Sequence, residues 1–161
     1  DGFLEQVAFP PGLDQETAAQ WLHWAARLHE IGRDIAHSGY HKHGAYILAN
    51  ADLPGFSTQD QLLLATLVRC HRRKFPVKLL KDLPPPWNDF GKWLAVLLRL
   101  SILLHRSRAL SDAPPIGLAI TSPQISLRFP SGWLAEHPLT IADLEQEAAY
   151  LAAADVQLSF R

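Results

Sequence analysis

One stretch constrains this chain more than any other. Leu28 to Gly44, LHEIGRDIAHSGYHKHG, holds four of the eight histidines within one helix-turn-helix span. It carries two cations, Arg33 and Lys42, and only two acids, Glu30 and Asp34. Three readings compete: a metal site, an anion grip, or polar residues lining a helix pair. A metal needs several neutral imidazoles and carboxylates converging on one point, and two ligands on one helix must sit at i,i+3 or i,i+4. His29 and Glu30 are adjacent and diverge by about 100° on a helix, so they share a site only at a helix junction.

The rest of the composition narrows the class. With 161 residues, 48% hydrophobic and 19% charged, the chain can bury a core as one domain, or as one with a small appendage. A single cysteine, Cys70, excludes an internal disulfide framework and fits a reducing compartment. The chain also lacks a charged start followed by an apolar run, so the expected location is the cytoplasm. It starts at Asp and has no Met, and is therefore expected to be a piece of something longer. The longest apolar stretch, Trp93 to Leu104, is about half of the roughly 20 residues a membrane-spanning helix needs and is broken by Arg99. It reads as a buried helix and gives no membrane span.

A net charge of −1 hides a segregation. Arg69, Arg72, Arg73, Lys74, Lys78 and Lys81 follow one another with no acid between them, while six acids and two strong bases fall after Arg108. A basic patch on a neutral chain points to a local anionic partner; the plainer reading is a solvated helix end.

Helical spacing organises most of the chain. Phe3 to Leu13 reads as a short helix tail and loop, broken at Pro10-Pro11-Gly12. Asp14 can cap a helix with Glu16 in its first turn, and Leu22, Ala25, Ala26 and His29 continue one face. Gly32 and Gly39 weaken its end; a second helix, about Lys42 to Ala51, carries His43, Tyr46, Ile47 and Asn50 on one stripe. Ser57 with Asp60 predicts the start of a third helix running to about Lys74, with Leu64, Leu67, Val68 and His71 facing inward. Phe75-Pro76 stops it, Leu83-Pro84-Pro85-Pro86 makes a loop, and a long helix follows from about Trp87 to Leu110. Trp21, Trp24 and Trp93 read as core or interface aromatics. Ala113-Pro114-Pro115 marks a boundary between residues 1–112 and 113–161. Beyond it, Ile116–Ile120, Gln124–Phe129, a helix at about 141–154 and Val156–Phe160 predict a β-β-α-β tail. The fold class is mostly α: a helical bundle followed by a small α+β tail.

Familiar catalytic signatures are missing. Gly39 and Gly44 have P-loop spacing, but Ala45-Tyr46 stand where Lys-Ser/Thr belongs. There is no H-E-x-x-H, no cysteine pair for zinc and no G-x-S-x-G elbow.

The ordered elements His29-Glu30-Ile31-Gly32, His43-Gly44-Ala45 and His71-Arg72 resemble the signatures of the HD-domain superfamily of helical, metal-dependent phosphohydrolases. More closely, LHEIGRDIAHSGYHKHGAYILANADLPGFS followed by QLLLATLVRCHRRK is similar to the C-terminal region of bacterial exopolyphosphatases and guanosine pentaphosphate phosphohydrolases. Gly132-Trp133-Leu134 and His137-Pro138-Leu139 resemble that family's tail. The resemblance implies a degenerate HD site at His29, Glu30, His43, His71 and Ile102. Active HD domains pair His with Asp where Glu30 stands, and end on a late-helix Asp where Ile102 stands. An isoleucine cannot bind a metal, so no metal is expected in this fragment.

A basic, histidine-lined pocket without the carboxylates to hold a cation suits an anion instead. The expected polyphosphate contacts are Arg33, His41, Lys42, His43, Arg69, His71, Arg72, Arg73 and Lys74, with Lys78 nearby. The resemblance further implies that hydrolysis, with its magnesium, belongs to N-terminal catalytic domains of the same protein, absent from this chain. The expected partners are inorganic polyphosphate, those domains and a second copy in a homodimer, with no specific nucleic acid. Two other readings are an active metal-dependent HD phosphohydrolase and a purely structural homodimerisation module.

Overall fold

The computed structural model describes residues 6, 14–106 and 115–161. The expected Phe3–Leu13 tail and loop, residues 107–110 of the long helix and most of the Ala113-Pro114-Pro115 boundary lie outside the described residues.

Local chemistry sets the helix starts. Asp14 accepts from the Thr17 amide at 2.8 Å and opens α1 (Gln15–Leu28). Ser57 and Asp60 form a reciprocal capping box that opens α3 (Thr58–Cys70), each side chain accepting from the other's amide. Between them lie a single 3-10 turn (Ile31–Asp34) and α2 (Tyr40–Asn50). Gly39 starts α2 in the left-handed region at φ 69°, where a side chain would be strained. Gly32 is required for a different reason: a Cβ there would land on the Tyr40 carbonyl and the Gly44 amide, so the backbone of the turn lies directly against α2.

The described residues form two compact units, one within residues 10–99 and the other within residues 1–9 and 100–161. In the first, α3 is the centre: α1 and α2 both pack on it, and Leu63, Leu64, Leu67 and Val68 are fully buried. Trp21 is buried edge-on against Phe56 and Trp87, and Trp93 is buried, whereas Trp24 is exposed. A short helix that the spacing does not predict, α4 (Val77–Lys81), follows Pro76, and α5 (Trp87–Arg106) begins after the proline loop. The division between the units falls within α5, between Arg99 and Leu100.

The second unit has the expected β-β-α-β order. Strands β1 (Gly117–Thr121) and β2 (Gln124–Arg128) pair antiparallel, and β3 (Gln157–Phe160) pairs parallel to β2 after a crossover through α6 (Pro138–Ala152). The helix starts three residues earlier than its spacing predicts, with Pro138 in the first turn, a position proline tolerates because that amide has no helical partner. Phe129, Trp133 and His137 stack in a row ahead of it, and His137 Nδ1 is 2.7 Å from the Trp133 carbonyl. Among the described residues no helix is long and apolar enough to cross a membrane.

Candidate functional site

Two helix ends build the site, and they use the same device. His29 ends α1 and His71 ends α3, and each ring places Nδ1 on the carbonyl three residues back, Ala26 at 2.7 Å and Val68 at 2.6 Å. A ring nitrogen that meets a carbonyl must be the N–H, so the neutral His71 ring carries its lone pair on Nε2. The two imidazoles meet edge-on with centroids 5.1 Å apart. From the start of α2, Tyr40 and His41 complete the cluster, their rings 5.5 and 6.2 Å from that of His71.

Burial makes part of this cluster unusual. His41 Nδ1 and His71 Nε2 are buried without a hydrogen-bond partner among the described residues. Burial first, then the charges of Arg69, Arg72, Lys42 and Arg73, hold the His41 pKa down to about 4. His71 is held down to about 3, chiefly by burial; its bond to Val68 pulls the other way, while His29, His41 and Arg72 add to the lowering. Both rings are therefore neutral at pH 7, in a field set by cations.

The cations themselves divide into paired and unpaired. Arg33 holds Glu30 at 2.8 Å, and the guanidiniums of Arg33 and Arg72 lie 5.2 and 4.5 Å from the Tyr40 ring centre. Glu30 also lies 3.9 Å from His29 Nε2. Among the described residues, Lys42, Arg69, Arg72, Arg73 and Lys74 make no ion pair with any carboxylate. Lys78 pairs with Asp82 at 3.3 Å, one helical turn along α4, and is to that extent withdrawn.

A residue that the spacing gives only as a break in an apolar run holds this end in place. Arg99 is 2% exposed, and its guanidinium donates to the carbonyls of Cys70 at 2.5 Å and Arg73 at 2.8 Å while lying over Phe75. It thus satisfies the open carbonyls at the end of α3, where a cation is also favoured by the helix dipole. Arg73 itself is turned into the left-handed region at φ 63°. The signal was present in the sequence: one arginine inside a buried helix must find acceptors. Cys70 next to it is buried, its thiol pushed up to about 12, and is unreactive.

The sequence-derived site is therefore brought together in part. His29, Glu30, Arg33, His41, His71 and Arg72 converge with Tyr40, which spacing did not single out, and Arg69, Arg73 and Lys42 act on His41 through their charge. His43 is two residues from His41, which directs the two side chains to opposite sides of α2; His41 is buried and His43 half-buried. Lys74 is exposed. Ile102 is half-buried, three residues beyond Arg99, and belongs to the other unit. Among the described residues, no group of three histidine, cysteine or acidic side chains is arranged to hold a metal ion.

Fold and site together define a mostly helical domain with a cation-rich, histidine-lined helix end and a small α+β tail. The chain belongs to the Ppx/GppA phosphatases, since the model of Ppx/GppA phosphatase, domain III, matches residues 2–148. Among curated relatives, a guanosine-5'-triphosphate,3'-diphosphate pyrophosphatase of Vibrio vulnificus (strain YJ016) is 33% identical over 148 residues, covering 90% of this chain and 29% of that protein. A protein of the same name from Pseudoalteromonas translucida (strain TAC 125) is 32% identical over 123 residues, covering 76% of this chain and 24% of that protein. The chain thus spans under a third of the length of the relatives it matches.

Proposed function

We propose that this chain is the C-terminal polyphosphate-binding and dimerisation region of a cytoplasmic exopolyphosphatase, which releases terminal orthophosphate from inorganic polyphosphate. Catalysis, with its magnesium, would reside in further domains of the same protein. The observation that carries the reading is the set of four cations, Lys42, Arg69, Arg72 and Arg73, that have no carboxylate partner among the described residues and act on the buried, neutral His41 beside His71. Guanidinium forks match phosphoryl oxygens in pairs, lysines add point charge, and Tyr40 holds one unpaired fork, that of Arg72, against its ring. A row of such contacts holds a polymer while letting it slide, because each phosphoryl unit is equivalent to the next.

The donor set argues against the active-phosphohydrolase alternative. Glu30 is already engaged by Arg33 and the surrounding charge is positive, so a divalent cation would be repelled without oxygen ligands to offset it. The names of the relatives favour a second substrate, guanosine-5'-triphosphate,3'-diphosphate, whose phosphoanhydride presents the same oxygens to the same forks. The exposed Trp24, Ile35, Tyr46 and Leu62 of the first unit offer apolar surface for a second copy.

The test is binding of long-chain polyphosphate across a salt series, beside an Arg69/Arg72/Arg73→Ala variant. Wild type should bind with a log–log salt slope steepened by roughly 0.7 per contact, as for single-stranded polyanions, and the variant should lose about two units of slope. Equal binding by both proteins, or none by wild type at low salt, would sink the reading.

A further inference from the structure

The tail carries a second concentration of positive charge that the reading above does not use. Alternation along the three strands places Gly117, Ala119 and Thr121 of β1, Gln124, Ser126 and Arg128 of β2, and Gln157, Ser159 and Arg161 of and beyond β3 on one face, opposite the buried Leu118, Ile125 and Leu127. Pairing aligns these residues in rungs across the sheet. Thr121, Gln124 and Gln157 form one rung, Ala119, Ser126 and Ser159 the next, and Gly117, Arg128 and Arg161 the last.

Arg128 and Arg161 are thus neighbours on adjacent strands, and they are the two strong bases that follow Arg108. Like charges side by side in a sheet are unfavourable. Neither is ion-paired among the described residues, and the tail acids Glu136, Asp143, Glu145, Glu147 and Asp155 all lie off the strands. On the adjoining rung, Ser159 Oγ has two acceptors in reach, the Ile125 carbonyl at 3.4 Å and Ser126 Oγ at 3.2 Å, and donation of its one hydrogen to the nearer leaves the Ser126 hydroxyl hydrogen for another acceptor. Gly117 and Ala119 add almost no side chain, and a cleft of about 550 Å³ opens over the same residues, walled by Gln6, which binds the free edge of β1 through the Ile116 carbonyl and the Leu118 amide.

We infer that this open sheet face is a second anion site, at which Arg128 and Arg161 fork onto the oxygens of a phosphate-bearing ligand and Ser126 donates a hydroxyl to it. Two neighbouring guanidiniums with no acidic side chain on the strands match one or two adjacent phosphoryl groups, and the small residues of β1 leave room for the ligand to lie across the strands. The ligand class rests on the proposed function, whereas the site rests on the sheet alone.

The experiment is a ¹⁵N-resolved NMR titration of the chain with tripolyphosphate, run on wild type, Arg128→Gln/Arg161→Gln, Ser126→Ala and the Arg69/Arg72/Arg73→Ala variant. Amides of Ser126, Arg128, Ser159 and Arg161 should shift saturably in wild type and in the helix-end variant. The double glutamine variant should bind there roughly tenfold more weakly or worse, and Ser126→Ala should weaken binding by a smaller factor. A parallel titration with GTP identifies the source: equal affinity means that the face reads phosphates only, and tighter GTP binding means that it also holds a nucleoside. If only residues 69–74 respond, or if the glutamine variant binds tripolyphosphate like wild type, the inference fails and the proposed function stands. If only the tail responds, the helix-end assignment fails instead. No response anywhere sinks both.

Discussion

The ends of α1 and α3 begin from one local solution and part company in their surroundings. His29 and His71 close their helices with the same ring-to-carbonyl bond, yet the His29 side chain stays partly open beside Glu30, whereas His71 is sealed under Tyr40 and His41. The first end has an acid to answer its cation; the second has Arg69, Arg72, Arg73 and Lys74 with none among the described residues. Local sequence therefore sets the cap, and tertiary packing decides whether that cap becomes part of the proposed anion site. Arg99 makes the difference structural, since it grips the α3 end from below and fixes the backbone that displays the basic run.

The comparison can be broken most severely at Gly32. Substituting alanine drives a Cβ into the backbone of α2, separating Tyr40 and His41 from both capped ends. A loss of more than about 3 kcal/mol in urea unfolding is expected, since backbone on both sides leaves little room to relax. A smaller effect is expected from Arg99→Met, which keeps much of the volume but strands the buried Cys70 carbonyl and the part-buried Arg73 carbonyl. About 2–3 kcal/mol should be lost, with weaker polyphosphate binding under conditions where the variant is folded. No counterpart to Arg99 holds the α1 end among the described contacts, so a comparable loss from any one substitution there would undo the contrast.

The sharpest pairing sets His71→Ala against His29→Ala. The buried ring should cost about 2 kcal/mol and the partly open one less than about 1 kcal/mol. Acid then changes the comparison. Below pH 6.5 the unfolded chain takes up a proton at residue 71 that the folded chain refuses until about pH 3, so wild-type stability falls as pH drops through that window. Removing the ring removes this dependence, and the deficit of His71→Ala should narrow between pH 6.5 and pH 4.

Much of this was legible in the residues because it depends on near neighbours. Asp14 and the Ser57–Asp60 pair are helix starts that need only the next turn, and alternation around Thr121-Ser122-Pro123 was enough to place the two tail strands. The inward stripe of α1 was read less well: Ala26 is exposed, and Ala18 and Trp21 carry the buried face with Leu22 and Ala25. What stayed hidden depends on partners distant in sequence. Periodicity on α2 emphasised His43, but the helix begins two residues earlier at Tyr40, and that start turns His41 into the cluster. Arg99 read as an interruption because its acceptors lie 26 and 29 residues away. Short α4 carries too few residues to leave a helical period.

The central claim is the proposal that the neutral histidines at the α3 end, with the cations beside them, take an anion, and histidine NMR through a pH titration tests it most directly. In the free chain the His71 and His41 rings should stay neutral down to about pH 5, consistent with pKa values of about 3 and 4. Adding long-chain polyphosphate should raise both midpoints, because a bound anion stabilises the imidazolium that the surrounding cations oppose. Rings that titrate near 6.5 in the free chain, or midpoints that do not move when polyphosphate is present, would contradict the account.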